Sequence, residues 1–408
     1  MDDSASGEGS HADQRPTRRR APPASRSGWL ALLAAALLAG CQAPRLPSSG
    51  EVEIPAGRAL VLNGLAPGGD LLVALDDAPE RCRAPQVWTL QGSAWREVAT
   101  GAPLAGSTCP SVTARLAADG RTLAVFDYSA GRASVLEIVG DAVRAAGAAT
   151  LASSLGPRFP PPGPNLALSG DGRLLLLGAS NRACDRGVGG GLTCGVAELF
   201  QRDGADWRSR AVLRVPDTER SGVRFGQAVA LSPDGRLALV GGTGQPGRSG
   251  KLWLFSVREA AAPREIGAIA PDRVDGWFAN DLALSGDGRR LAVGGERAVY
   301  LYRRENEAFV LHQRLTASDP AAGHFGERVA LSTDGGTLLV AAPRTACTAG
   351  ERCGAAYLYR LNEAATLLAT VRPAAERADA NFSHRVAVSA DGRRFAVQGT
   401  MLHLFARP

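Results

Sequence analysis

At 408 residues the chain is longer than one ordinary core usually serves, so two or three domains or a repeat array are expected. With 45% hydrophobic, 21% charged and 5% aromatic residues, it has a globular balance that excludes a multi-span membrane protein and a disordered chain. The net charge of +6 is almost wholly arginine, Lys251 being the sole lysine, and no basic run beyond the N-terminus suggests a nucleic-acid groove. Glycine, at 49 residues, exceeds the ordinary share of about 7% and favours many tight turns between short strands.

Arg15, Arg18, Arg19, Arg20 and Arg26 precede an apolar run from Trp29 to Ala39. The run is about half as long as a bilayer-spanning helix needs, but has the size of a signal-peptide core behind a basic segment. It ends at Leu38-Ala39-Gly40-Cys41, which resembles the bacterial lipobox. That resemblance implies cleavage before Cys41 and acylation of its thiol, whose several chains hold a protein on a membrane far more firmly than one. An ordinary secretory signal with a chance cysteine is the alternative. Gln42 after the cysteine, rather than aspartate, implies the outer membrane by the enteric sorting rule. The expected organisation is a signal peptide over 1–40, a tether over 41–50 and one domain over 51–408.

Beyond the tether one phrase recurs. It reads Leu-Ala-Leu-Ser-Gly-Asp-Gly-Arg from Leu166 and Val-Ala-Leu-Ser-Pro-Asp-Gly-Arg from Val229, with further copies at Leu282, Val329 and Val386. A worn copy centres on Asp119-Gly120, and the weakest places Gly68-Gly69 at the tip. The seven tips average about 54 residues apart, a period that marks a propeller or solenoid. Alternating apolar residues on both sides of each tip make a hairpin, in which glycine supplies positive φ and serine and aspartate bond nearby amides. A third run follows each hairpin, as at 251–255, 299–302 and 356–359, and then a fourth, as at 207–215, 309–315 and 367–371. Four strands in seven units predict an all-β, seven-bladed β-propeller. The last unit stops after its third strand, so Glu51 to Ile54 is expected to supply its outer strand and seal the ring.

Gly323-His324-Phe325-Gly326, the hairpin that follows, Ala341-Ala342-Pro343 and the Tyr357-Leu358-Tyr359 run resemble FG-GAP repeats, the units of integrin α-subunit propellers and of many bacterial exported proteins. Phe225-Gly226 with Gly241-Gly242 repeats the pattern, and Trp277-Phe278 and Phe382-Ser383 are worn versions. The likeness is good over 160–408 and faint over 51–160. Integrin-type repeats often hold calcium through several aspartates in one loop. Each tip here offers one carboxylate, too few for a hard ion that takes six to eight oxygens. Asp171, Asp234, Asp287, Asp334 and Asp391 are therefore read as turn residues, and neither a metal nor a cofactor is expected.

Setting Cys41 aside leaves six cysteines in a chain expected to be exported. Cys184 with Cys194 and Cys347 with Cys353 each fall in one loop between second and third strands. Cys82 with Cys109 is the remaining pair. All three bridges would emerge on one rim, and the absence of a Cys-x-x-Cys pair speaks against a metal site. That rim also carries Asp76, Asp77, Arg81, Arg83, Arg182 and Arg186, together with Arg344, Arg352, Trp277 and Phe278. Arginine with aromatics on rigidly held loops is the composition of a binding surface. A solvated charged rim, with Trp277 and Phe278 plugging a blade junction, is the plainer alternative.

His324 and His384 fall in neighbouring inter-blade loops and join the candidate binding rim, while His403 lies in a strand. No nucleophile elbow, zinc-binding helix or phosphate loop is present in the sequence. These observations favour a non-enzymatic, monomeric scaffold that binds a protein or glycan of the cell envelope. An envelope-assembly propeller lipoprotein, or a propeller enzyme of lactonase or lyase type with groups converging on the central channel, are the alternatives.

Overall fold

The computed structural model describes residues 50–52, 60–65, 71–76, 86–91, 94–100, 112–117, 119–127, 131–140, 142–151, 166–180, 194–204, 206–215, 223–244, 248–258, 262–346, 352–373, 382–399 and 402–407. These form 28 strands in seven four-stranded antiparallel sheets, with no helix among the described residues. Strand β1 spans Gly50–Val52. Blade 1 is β2 (Leu60–Leu65), β3 (Leu71–Asp76), β4 (Gln86–Gln91) and β5 (Ala94–Thr100). Blade 2 is β6 (Val112–Leu116), β7 (Thr122–Asp127), β8 (Arg132–Val139) and β9 (Ala142–Thr150). Blade 3 is β10 (Leu166–Leu168), β11 (Leu174–Ala179), β12 (Val196–Asp203) and β13 (Asp206–Leu213). Blade 4 is β14 (Ala228–Leu231), β15 (Leu237–Gly242), β16 (Lys251–Ser256) and β17 (Arg264–Ile269). Blade 5 is β18 (Leu282–Leu284), β19 (Arg290–Gly294), β20 (Val299–Glu305) and β21 (Ala308–Leu315). Blade 6 is β22 (Val329–Leu331), β23 (Thr337–Ala342), β24 (Ala355–Leu361) and β25 (Ala365–Val371). Blade 7 is β26 (Arg385–Val388), β27 (Arg394–Gln398) and β28 (Leu402–Ala406), with β1 as its outer strand.

The expected closure is present one residue earlier than the sequence suggests. β1 pairs with β28 in the register Gly50↔Leu404, Glu51↔His403, Val52↔Leu402, while Glu53 and Ile54 lie outside the described residues. The innermost strands neighbour one another in sequence order, and β2 meets β26 to complete the circuit. The apolar clusters say the same. Leu72 and Trp88 of blade 1 pack with Ala396, Leu402 and Leu404 of blade 7. Each of the other six junctions has its own cluster, such as Leu239 and Leu254 against Val293 and Tyr300 between blades 4 and 5. Burial is therefore a property of neighbouring blades and not of any one sheet, as expected of a repeat array.

The recurrent tip explains the hairpins. In blade 4 the Ser232 hydroxyl donates to Asp234 Oδ1 at 2.5 Å and accepts from the Leu237 N–H at 2.8 Å. Asp234 Oδ1 accepts the Arg236 N–H at 3.0 Å, and Gly235 turns the chain at φ 65°. The same serine–aspartate bond recurs at Ser169–Asp171, Ser285–Asp287, Ser332–Asp334 and Ser389–Asp391. Blade 2 has Ala117 in place of serine, and there Thr122 donates its hydroxyl to Asp119 Oδ2 at 2.6 Å. The aspartates are turn residues, each committing Oδ1 to its own loop.

The other end of each inner strand shows why FG and GAP occur together. Phe225, Phe278, Phe325 and Phe382 are fully buried. Each meets the first ring of its blade's third strand edge-on: Trp253 at 5.3 Å, Tyr300 at 5.1 Å, Tyr357 at 5.3 Å and His403 at 5.3 Å. His403 is thus a packed member of an aromatic slot. The next residue takes a left-handed conformation, φ 88° at Gly226, 64° at Ala279, 101° at Gly326 and 68° at Ser383. Its carbonyl faces the end of β11, β15 or β19 of the preceding blade, where only glycine leaves room.

Candidate functional site

The two rims differ in what they leave available. The hairpin-tip rim spends its serines and aspartates on turns. The opposite ends of the strands form the other rim, where, among the described residues, the polar side chains are not claimed by a repeated serine–aspartate motif.

Cys41, Cys82, Cys109, Cys184, Cys347, Arg81, Arg182 and Arg186 lie outside the described residues. Cys194 and Cys353 are buried, and both are disulfide-bonded. The loop after β23 is cinched at its base, with the Cys353 N–H donating to the Thr345 carbonyl at 2.9 Å and an isolated antiparallel bridge joining Ala346 to Arg352. Arg344 and Arg352 are exposed on this loop. Trp277 and Phe278, adjacent in sequence, part company in the fold. Phe278 belongs to the core between blades 4 and 5 and is not a rim contact. Its neighbour Trp277 is half-buried, its ring 4.7 Å from that of His324 in the next inter-blade loop.

A chain of polar contacts leads from that aromatic pair toward the axis. His324 Nδ1 lies 2.9 Å from Glu327 Oε2. The Glu327 carbonyl accepts Asn280 Nδ2 at 3.0 Å and Arg328 Nη1 at 2.9 Å. Asp281, almost fully buried, accepts the Leu282 N–H through Oδ1 and the Val329 N–H through Oδ2, both at 2.9 Å, and so ties β18 to β22. Burial pushes the Asp281 carboxyl up, against the opposing pull of Arg328, Arg115 and its backbone donors. Arg115 comes from β6 in blade 2, so its charge reaches Asp281 across the ring. His384 presents an open face to solvent, yet desolvation of its ring, with Arg328 and Arg385 beside it, pushes it down to about 4 despite the opposing Glu327.

Of the rim residues predicted from sequence, Trp277, His324 and His384 belong to this network, whereas Arg344 and Arg352 stand apart from it on the loop after β23. Sequence reasoning missed Asp281, Glu327, Arg328 and Arg115. The signal was available: polar residues follow the FG pair as Gln227, Asn280-Asp281, Glu327-Arg328 and His384-Arg385. Arg115 stands where five other blades have Ala167, Ala230, Ala283, Ala330 and Ala387. No group of three or more histidine, cysteine or acidic side chains able to hold a metal occurs among the described residues.

Solved structures superpose on most of the chain. The β-propeller domain of Cps50 (Swd1) from Myceliophteria thermophila matches with a TM-score of 0.59 and 12% identity, over 89% of this chain and 100% of that one. Hydrazine synthase of Kuenenia stuttgartiensis matches with a TM-score of 0.57 and 12% identity, over 88% and 97%. A protein from Lactobacillus plantarum matches with a TM-score of 0.52 and 18% identity, over 76% and 83%. At these identities the likeness is one of fold. No curated protein matches the chain. One family model does, that of the FG-GAP repeat, over residues 309–359, which run from β21 through β24. The molecule is a seven-bladed β-propeller, of which residues 309–359, in the fifth and sixth blades, match the model of the FG-GAP repeat.

Proposed function

We propose that the chain is an exported lipoprotein, anchored through Cys41, whose propeller is a non-enzymatic scaffold binding a protein or glycan of the cell envelope. The observation that carries the binding role is the asymmetry of the rims. One is consumed by five serine–aspartate turns, while the other presents exposed Arg344 and Arg352, half-buried Trp277 and the His324–Glu327 pair on rigid supports. Bridges pairing Cys194 with Cys184, Cys353 with Cys347, and Cys82 with Cys109 would brace that rim. Outer-membrane placement, on its periplasmic face or at the cell surface, follows from the Leu38–Cys41 motif and Gln42.

A lactonase- or lyase-type enzyme would need reactive carboxylates and histidines at the axis. Asp281 and Glu327 are there, but Asp281 spends both oxygens on the backbone and Glu327 is engaged by His324. That commitment favours the scaffold. Two measurements test the reading. Cys41→Ala should move the protein from the membrane fraction to the soluble envelope fraction, and retention on the membrane contradicts the anchor. The double variant Arg344→Glu/Arg352→Glu should lose capture of envelope material by the purified chain while still folding, and unchanged capture contradicts the rim. Recovery of barrel-assembly proteins in the capture would instead select the envelope-assembly reading.

A further inference from the structure

The two rims use arginine differently. Toward the hairpin tips the guanidiniums find carboxylates: Arg202 lies 2.8 Å from Glu137, Arg208 3.0 Å from Asp203 and Arg258 2.5 Å from Glu307. On the opposite rim Arg224, Arg248, Arg273, Arg297, Arg344 and Arg352 are exposed, and none has a carboxylate partner among the described residues. The acids of the same loops are mostly spent. Asp319 is held by Arg372, Glu327 by His324, and Asp275 is buried. Asp272 and Glu296 remain as exposed carboxylates beside the six arginines, so the surface carries a cationic excess among the described residues.

Asp275 joins the loops that display this charge. Its Oδ1 accepts the Trp277 and Glu296 N–H groups, both at 3.0 Å, and its Oδ2 accepts the Tyr300 hydroxyl at 3.2 Å. Its carbonyl accepts the Gly250 N–H at 3.0 Å, and the Ser249 hydroxyl donates to the Arg273 carbonyl at 3.3 Å. The loops bearing Arg248, Arg273 and Arg297 are thereby fixed side by side. Trp277 carries the surface on to His324, and the Arg344 N–H donates to the Gly323 carbonyl at 3.2 Å in that same loop. From the other side Arg224 follows Val223, whose carbonyl oxygen would lie 2.3 Å from a Cβ on Gly242 at the end of β15. Arg224 is held at φ 45°, a left-handed conformation that a non-glycine residue keeps only where its surroundings over-determine it. These are guanidiniums set on braced backbone with no carboxylate of their own, and their forks match carboxylates bidentately.

We propose that this rim docks an acidic polypeptide segment whose carboxylates pair with Arg224, Arg248, Arg273 and Arg297. The proposal rests on the scaffold reading and names the partner's chemistry, that of an acidic motif read by an arginine cluster. Two observations favour a polypeptide over an acidic glycan. Val274, next to Arg273, is 71% exposed and suits an apolar side chain set among acidic ones. Trp277, the aromatic that could stack on a sugar ring, is half-buried against His324. The anchoring membrane does not fit. β28 ends at the tips, where the Arg407 N–H donates to the Arg393 carbonyl, and β1 runs antiparallel to it from Gly50 beside Leu404 to Val52 beside Leu402. A tether from Cys41 therefore enters from the tip side, and the arginine rim faces the other way.

The test is fluorescence anisotropy on the full chain with labelled decaglutamate, and with polygalacturonate and phosphatidylglycerol vesicles as competitors. Decaglutamate should bind, and Arg224→Ala/Arg248→Ala/Arg273→Ala/Arg297→Ala should weaken it by about tenfold or more. Arg121→Ala/Arg173→Ala/Arg289→Ala/Arg393→Ala removes the same charge from the tips and should leave the affinity nearly unchanged. Arg273→Ala/Arg297→Ala serves if the fourfold rim variant fails to fold. No binding of decaglutamate, or equal loss in the rim and tip variants, overturns the site. Equal competition by polygalacturonate or the vesicles at matched charge overturns the choice of a polypeptide. Capture lost in Arg344→Glu/Arg352→Glu with no decaglutamate binding by the parent overturns this proposal alone. Decaglutamate held by the four arginines, with capture unaffected by Arg344→Glu/Arg352→Glu, overturns the earlier reading of the rim alone.

Discussion

Gly178 at the end of β11 lies directly beneath Gly226 at the start of blade 4: a Cβ on Gly178 would come 2.1 Å from the Gly226 carbonyl oxygen. The same relationship joins Gly241 to Ala279, at 2.5 Å, and Gly294 to Gly326, at 2.4 Å. The two glycine-bearing halves of the repeat are thus the two sides of one inter-blade contact, the backbone of one blade seated against its neighbour.

Gly178→Ala should therefore destabilise the protein by about 1–3 kcal/mol, the usual range for overpacking, because the obstructing atom is backbone and cannot rotate away. Chemical denaturation measures it. Gly140→Ala, where no atom lies within 4 Å of the added Cβ, should show only the left-handed strain of about 1–2 kcal/mol from its φ of 58°.

Ser232→Ala should cost about 1 kcal/mol, since the Leu237 N–H and Asp234 both lose their partner. The tip also carries a pH signature. Partial burial opposes it, but the Ser232 hydroxyl and the Arg236 N–H hold the Asp234 carboxyl below its ordinary value, and Asp287 and Asp391 are lowered by their own serines and amides. A carboxyl lowered in the folded state contributes stability that is full above the unfolded value, near 3.9, and is lost as pH falls through the lower folded value. Stability measured from pH 5 downward should fall less steeply in Ser232→Ala than in the parent.

His384 acts in a different window. Its folded value, about 4, lies below the ordinary 6.5, so between these the unfolded chain binds the extra proton. Stability should therefore rise with pH from about 4 to 6.5 and level off above it. His384→Gln should flatten that slope in a pH series of melting temperatures.

The Ser-x-Asp-Gly tips made the blades legible, because each names a hairpin by its own hydrogen bonds and needs no distant contact. The closing strand was legible by counting, since blade 7 ends at β28 with one strand missing. The axial network was not, because Arg115 and Asp281 become neighbours only once the ring has closed, and no local pattern couples blade 2 to blade 5. Of the two readings open for Phe278, rim contact or junction plug, the structure takes the plug. Adjacent residues in a strand-entering turn point in opposite directions, so Trp277 faces His324 while Phe278 faces Tyr300.

The closed ring carries everything else, and β1 against β28 is its seam. Hydrogen exchange on the full chain and on a variant lacking 50–54 tests that seam most directly. The β28 amides that face β1 should be protected in the full chain and should exchange rapidly in the shortened one, with a lower melting temperature. Equal protection and equal melting in the two proteins would contradict a ring sealed by its N-terminal strand.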